Sequence, residues 1–154
     1  MSHDEKRQFD PHRPGIEYGV LDELVGYGLR RAQIRMTEAF DAQLGGLGVT
    51  TQRFSALVLI ASNPGLKQTE LASVMGIARS GVLAIVEALS LQGLIERRPA
   101  PGDARAQALF LSPLGEERLP QIVELVREHD RELVRGFSAA EIETLKSLLE
   151  RIQT

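Results

Sequence analysis

The sequence predicts a mainly α-helical fold that carries one small β-hairpin. Apolar residues recur at intervals of three and four along most of the chain, as they do on one face of an α-helix. One stretch, residues 94–111, has instead the pattern of two strands joined by a turn that contains proline and glycine. The 154 residues are 43% hydrophobic and 25% charged, which suits one globular domain with its own core.

Composition excludes several classes of protein. The chain has no cysteine, which rules out a disulfide framework and a thiol nucleophile. No apolar run approaches the roughly 18 residues of a membrane span. Residues 1–19 lack the apolar core of a signal peptide, so we expect a flexible arm and a cytoplasmic location. The net charge of −3 means that any binding to nucleic acid must depend on a local patch.

Four helices are expected before the hairpin. An apolar stripe predicts a long helix over residues 20–45, which the following glycines end. A second helix begins near Thr50 and Thr51 and stops at the turn Asn63-Pro64-Gly65. Two shorter helices follow at 68–75 and 79–91, separated by Gly76 and Ile77.

The hairpin and two more helices complete the order. Strands are expected at 94–98 and 105–111, with a turn at 99–103. Ser112-Pro113 has the pattern of an N-cap followed by a first-turn proline, and the apolar stripe of this helix continues to Phe137. Ser138-Ala-Ala-Glu141 has the pattern of a capping box, which predicts the start of the last helix.

The segment from Gln68 to Arg97 has the pattern of a helix-turn-helix. Ala72 supplies the small residue that two closely crossing helices need, and Gly76 supplies the turn. Apolar residues of the second helix, Val82 and Ile85 among them, form its inner face. An ordinary helical pair would share this pattern, but the hairpin that follows directly favours a winged helix-turn-helix that binds DNA.

These motifs together resemble those of the MarR family of bacterial transcription regulators. The resemblance covers residues 21–152 and depends on three stretches: NPGLKQTELA at 63–72, GLIER at 93–97, and Asp103-Ala-Arg105 followed by a strand ending LSPLG at 111–115. It implies a winged helix-turn-helix at 64–112, flanked by dimerisation helices at 20–63 and 113–154 within a single domain, 20–154. It also implies that the second short helix enters the major groove and that the wing arginine reaches the minor groove.

Candidate DNA-binding residues follow from these positions. They are Gln68, Thr69, Arg79, Ser80, Gly81, Leu83, Ala84, Arg97, Arg98, Asp103 and Arg105. Arg105 is expected to sense the negative potential of a narrow minor groove, with Asp103 holding its guanidinium; a solvated hairpin tip is the alternative. Five basic and four acidic residues give the segment 64–112 a net charge of only +1, so the predicted patch is thin.

The resemblance also implies a site for a small-molecule effector. Members of the family bind aromatic carboxylates, and a few bind coenzyme A thioesters, where the outer helices meet the DNA-binding part. The candidate effector-binding residues are Arg31, Arg35, Met36, Arg53, Phe54 and Asn63. Arg31 and Arg35 lie one helical turn apart and share a face. Surface salt bridges, and a helix cap for Asn63, are the alternative interpretation.

The sequence therefore predicts a homodimeric regulator, a repressor by resemblance, that binds double-stranded operator DNA. A small anionic effector, an aromatic acid or its coenzyme A thioester, is expected to release it. We expect no cofactor, no catalytic site and no metal site, since His3, His12 and His129 are too scattered to share an ion. The alternative is a helical effector-sensing or protein-interaction dimer with weak or lost DNA binding, which the sparse charge of the second short helix motivates.

Overall fold

The computed structural model describes residues 12–152, without the side chains of residues 103–105. The described chain divides into two compact units, with the boundary between residues 51 and 52. Its α-helices and β-strands are, in order, α1 (Val25–Leu44), α2 (Thr51–Ser62), β1 (Leu66–Lys67), α3 (Gln68–Met75), α4 (Arg79–Leu91), β2 (Ile95–Ala100), β3 (Asp103–Leu111), α5 (Pro113–Leu133) and α6 (Ala139–Glu150).

The first unit contains α1 and the segment that leads to it. The predicted start of this helix at residue 20 is wrong, because a 3-10 helix at Gly19–Glu23 comes first and Leu24 is extended. Apolar periodicity does not separate a tight 3-10 turn from the first turn of an α-helix. The predicted glycine stop is confirmed, since α1 ends at Leu44 and Gly48 adopts a left-handed conformation with φ 71°.

The core of the second unit is built from α2, α3, α4 and the small sheet. Leu57, Leu71, Val82 and Leu109 are among its fully buried side chains. The bounds of α3 and α4 agree with the predicted helices at 68–75 and 79–91. The chain bends by 115° between them, an angle typical of a helix-turn-helix. Gly76 makes this turn possible because it takes a left-handed conformation, with φ 63°.

Three antiparallel strands, in the order β1-β3-β2, form the sheet. The hairpin was predicted, but β1 was not, because two residues are too few to show a strand pattern. The predicted turn at 99–103 is too long: β2 extends to Ala100 and β3 begins at Asp103. Pro99 lies within β2, which is an edge strand and therefore tolerates a residue without an N–H donor.

The two C-terminal helices begin where the capping motifs predict. The Ser112 hydroxyl accepts a hydrogen bond from the Gly115 N–H at 2.9 Å and caps α5. The Ser138 hydroxyl and the Glu141 carboxylate form the predicted capping box of α6. The expected extension of the α5 stripe to Phe137 is wrong, since α5 ends at Leu133 and turns follow it.

Within the described residues, no single helix is both long and apolar enough to cross a bilayer. Two pairs of consecutive helices pass that test only when each pair is counted together across the bend that separates its members.

Candidate nucleic-acid interface and ligand cavity

Helix α4 has one face in the core and one in solvent. Val82, Ile85, Val86 and Leu89 are buried, and they lie on the side that packs against the rest of the second unit. The opposite side, which we call the outer face, consists of Ser80, Leu83, Ala84 and Glu87, all exposed. Of the α4 residues predicted to bind DNA, Arg79, Ser80, Leu83 and Ala84 are therefore exposed and Gly81 is partly exposed, while the apolar stripe packs against the core.

The start of α4 borders a shallow hollow of about 200 Å³. Six residues of β1, α3, α4 and β3 line it: Lys67, Gln68, Thr69, Arg79, Ala106 and Gln107. The structure therefore brings together three predicted DNA-binding residues, Gln68, Thr69 and Arg79. It adds Lys67 and Gln107, which the sequence analysis missed because their proximity depends on the unpredicted pairing of β1 with β3.

The two arginines on β2 have partners within the sheet and α4. The Arg97 Nε donates a hydrogen bond to the Ser90 hydroxyl at 3.2 Å. Arg98 forms an ion pair with Glu96 at 2.8 Å, and its guanidinium lies 4.4 Å from the centre of the Phe110 ring. Both arginines are exposed to solvent, but Glu96 balances the charge of Arg98, so the patch carries less net positive charge than two unpaired arginines would.

The tip of the hairpin is a short turn. Ala100 pairs with Asp103, which leaves Pro101 and Gly102 as the two residues of the turn. Gly102 has a φ of 78°, a conformation that glycine adopts without strain. The side chains of Asp103 and Arg105 lie outside the described part of the structure, and so does the predicted contact between them.

A second, larger cavity of about 460 Å³ lies between α2 and α5. Its lining residues are Phe54, Val58, Val123, Val126, Arg127, Asp130 and Arg131. Most of the exposed lining is apolar, and both arginines are paired with Glu124, Arg127 at 3.7 Å and Arg131 at 3.1 Å. Of the predicted effector-binding residues, only Phe54 lines this cavity; the α5 residues were missed because their stripe was assigned to a dimer contact.

The remaining effector candidates of the second unit lie along α2. Arg53 is half-buried at its start, beside Phe54. Asn63 follows its last residue, about 14 Å further along the helix axis. The Asn63 amide nitrogen donates to the Leu59 carbonyl at 2.9 Å and so satisfies the helix end. The structure therefore does not bring Asn63 and Phe54 together.

The effector candidates of the first unit differ in their surroundings. Arg31 forms an ion pair with Asp22 at 3.0 Å and lies over the Tyr27 ring at 4.7 Å, which leaves its side chain only 13% exposed. Arg35 and Met36 are exposed on α1. Arg31 thus already holds the segment before α1 in place, whereas the Arg35 side chain is accessible to a ligand.

Among the described residues, no three His, Cys, Asp or Glu side chains are grouped closely enough to hold a metal ion. His129 is buried in α5.

Comparison with known proteins identifies the family. The model of the MarR family matches residues 47–106. A protein described as a transcriptional regulatory protein for the hcr operon of Thauera aromatica is 35% identical over 138 residues, which cover 89% of this chain and 83% of that protein. The HTH-type regulator YybA of Bacillus subtilis is 30% identical over 108 residues, 70% of this chain and 71% of YybA. The chain belongs to the MarR family.

Solved structures of MarR-type proteins have the same fold. The repressor CouR bound to a 23-mer DNA duplex superposes with a TM-score of 0.81 at 35% identity, covering 88% of this chain and 96% of CouR. CouR bound to p-coumaroyl-CoA gives a TM-score of 0.79 at 34% identity, covering 88% of this chain and 95% of CouR. A crystal structure of MarR gives 0.72 at 26% identity, covering 83% and 94% of the two chains.

This MarR-family protein is therefore a winged helix transcription regulator. The predicted fold class and the assignment to DNA-binding regulators are confirmed by the family match and by the superposed structures. MarR-family regulators are DNA-binding proteins without enzymatic activity.

Proposed function

We propose that this regulator is a homodimeric repressor that binds a pseudo-palindromic operator and leaves it when a small organic acid or its coenzyme A thioester binds. The observation that carries the proposal is the arrangement of α4. Its outer face lies in solvent, and Lys67 and Arg79 both line the hollow at its start. A helix presented in this way can enter a major groove while its first turn meets the backbone.

In the proposed complex, contacts divide into those that position the protein and those that recognise bases. Lys67, Gln68, Thr69 and the arginines of β2 contact phosphates from the rim of the groove, which gives affinity without sequence preference. The base contacts come from α4, through Arg79, Ser80, Gly81, Leu83 and Ala84. Arg105, oriented by Asp103, enters the minor groove from the wing. The complex of the related CouR with a DNA duplex supports this docking.

Dimerisation explains the apolar residues that a single chain leaves in solvent. Leu145, Leu148 and Leu149 are exposed on α6, and Val20 and Val25 are exposed in the first unit. Exposed apolar surface on this scale is rare in proteins that act as monomers. A two-fold dimer buries such surfaces against their own copies and presents two recognition helices to the two halves of a symmetric operator.

The cavity between α2 and α5 is the proposed effector site. Its volume and apolar walls suit a planar hydrophobic group, which Phe54 and Val126 would contact. At the rim, Arg127 and Arg131 would exchange the Glu124 carboxylate for the acid or phosphates of the ligand. The related CouR binds p-coumaroyl-CoA, which supports a thioester as the ligand class. In the first unit, the exposed Arg35 is a separate candidate for contact with an anionic ligand.

A gel-shift assay on the DNA upstream of the protein's own gene tests the proposal. We expect selective binding that weakens with rising salt, and release by some members of a set of aromatic acids and their coenzyme A esters. The control is a duplex of equal length and composition in scrambled order. Equal affinity for both duplexes at every salt concentration would contradict operator recognition and favour an effector-sensing dimer that contacts other proteins.

A further inference from the structure

We propose that α4 recognises thymine through its methyl group, with Leu83 and Ala84 packed against thymine 5-methyl groups in the major groove. The inference rests on the proposed function, since it requires α4 to enter that groove. It assigns a preference for thymine to two apolar residues, beside whatever hydrogen bonds Arg79 and Ser80 make with base edges.

The starting observation is the chemistry of the outer face. Leu83 lies at the centre of the outer face and is 42% exposed, and Ala84 beside it is also exposed. Ser80 lies one turn earlier and is the one neutral hydrogen-bonding side chain of the outer face as defined above. Glu87 lies one turn later and carries a negative charge, which phosphates repel. Contact with bases is therefore confined to the first two turns, and Leu83 lies at their centre.

A leucine in that position has only one good partner in the groove. The edges of base pairs present acceptors, amino donors and the thymine methyl, and only the methyl is apolar. Against a G·C pair, Leu83 would cover polar groups that lose water and gain no hydrogen bond, which is unfavourable. The same side chain therefore favours thymine and disfavours G·C at the position that it faces.

Close approach of α4 to the bases is also possible. Ala84 has a short side chain, and Gly81, on the adjacent turn, has none. Apart from its chain neighbours and the nearby backbone of α4, the nearest described atom that a Cβ at Gly81 would meet is the Ile77 Cδ1 at 3.7 Å, an ordinary contact, so packing does not demand glycine there. A small residue at this position suits a helix whose backbone lies near another surface, at a cost to helix stability of about 1 kcal/mol.

The experiment replaces thymine by deoxyuridine, which removes the methyl and changes no hydrogen-bonding group. The purified protein selects duplexes from a random pool, and each thymine of the best duplex is then replaced in turn. We expect one or two positions in each half-site at which affinity falls about fourfold, the amount that one buried methyl contributes. At these positions, changing T·A to C·G should weaken binding further, and methylating that cytosine at C5 should restore part of the loss.

Two variants link the effect to the helix. In Leu83→Ala, the ratio of thymine to deoxyuridine affinity should fall toward one at the sensitive position. Leu91→Ala makes the same change at the last residue of α4, which is 90% exposed and outside the proposed contact, and should keep the ratio. Far-UV circular dichroism confirms that both variants are folded.

The outcomes distinguish a failure of thymine recognition from a failure of the proposed regulator function. Selective binding without any deoxyuridine effect would overturn thymine recognition and leave the regulator intact. An unchanged ratio in Leu83→Ala would overturn the role of Leu83. The absence of any selected sequence would overturn the proposed function, and this inference with it.

Discussion

Helices α4 and α6 have 13 and 12 residues and similar apolar stripes, but only the stripe of α4 is buried. Four apolar side chains of α4 lie in the core, whereas no residue of α6, all of which are described, is buried. The comparison shows that hydrophobic periodicity predicts a helix without saying what covers it. The α4 stripe is satisfied within the chain, and that of α6 requires another surface.

The N-termini of the two helices also differ, because α6 is capped by a side chain and α4 is not. Helix α6 begins at a complete capping box, in which Glu141 accepts from the Ser138 N–H at 2.8 Å. Helix α4 begins after Ala78, which has no side chain that can cap it. The first-turn N–H groups of an uncapped helix favour an anion, such as a phosphate. Helix α4 thus has a buried apolar stripe and an uncapped N-terminus, whereas α6 has a capped N-terminus and an exposed apolar stripe.

The largest effect is expected for the buried stripe. Leu89→Ala on α4 should lower the free energy of unfolding by about 2–5 kcal/mol, because it leaves a cavity in the core. Leu148→Ala, the matched change on α6, should have an effect that appears only at protein concentrations where the dimer forms. Urea unfolding at two protein concentrations measures both. A concentration-independent loss of similar size in Leu148→Ala would show that the α6 stripe is covered within its own chain.

The next effect concerns the exposed side of α6. Introducing two charges as Leu145→Glu and Leu149→Glu should weaken the dimer by about 3 kcal/mol, or roughly a hundredfold, because carboxylates are costly to bury. Sedimentation should then report a mass near the 16.9 kDa of one chain instead of twice that value. Ser147→Glu adds charge on the opposite side of the helix and should leave the dimer unchanged. A dimer that persists in the double variant would place the interface elsewhere.

A smaller loss, of operator affinity, is expected at the wing, the β2–β3 hairpin, which is proposed to bind DNA together with α4. Arg105→Ala should weaken operator binding by about 1–3 kcal/mol if the arginine senses the shape of the minor groove. Arg135→Ala is the control, because Arg135 follows α5, pairs with Glu132 and is not among the proposed DNA contacts. Binding titrations at one fixed salt concentration measure both. Equal affinities for Arg105→Ala and the wild type would leave recognition to α4 alone.

The effector site should respond to a change on α5. Arg131→Ala should raise the effector concentration for half-release from DNA about tenfold, which corresponds to about 1.4 kcal/mol of lost coupling. Arg35→Ala tests the separate candidate on α1 in the same assay. Both variants should keep operator affinity without effector. Arg135→Ala is the matched control, since Arg135 pairs with Glu132 outside the cavity. Midpoints that coincide for Arg131→Ala and the control would exclude the α5 rim as the anion site.

The smallest effect, on the pH dependence of stability, is expected at the capping box of α6. Hydrogen bonds from the Ser138 backbone N–H and then its hydroxyl lower the pKa of Glu141. The contribution of this carboxylate to stability is therefore full at neutral pH and is lost as the pH falls through the lowered pKa. Glu141→Gln should make the helical signal less sensitive to acid in circular dichroism. A titration that matches the wild type would show that the cap carries no pH dependence.

The accuracy of the sequence predictions follows the range of the interactions involved. The bounds of α3 and α4 and the starts of α5 and α6 were predicted correctly, because glycine conformations and serine caps act within a few residues. The start of α1 and the length of the hairpin turn were not. A 3-10 turn has nearly the same apolar spacing as an α-helix, and Pro99 is tolerated only because β2 lies at the edge of the sheet.

By itself, the sequence determined the order of the helices, the hairpin and the resemblance to MarR regulators, because these depend on local motifs and their spacing. Tertiary structure alone decided which residues share a surface. Pairing of β1 with β3 brings Lys67 and Gln107 to Arg79, and the packing of α2 against α5 creates the cavity around Phe54. The physical reason is that a side chain's neighbours across a sheet or between helices are set by contacts among distant segments, which no local pattern records.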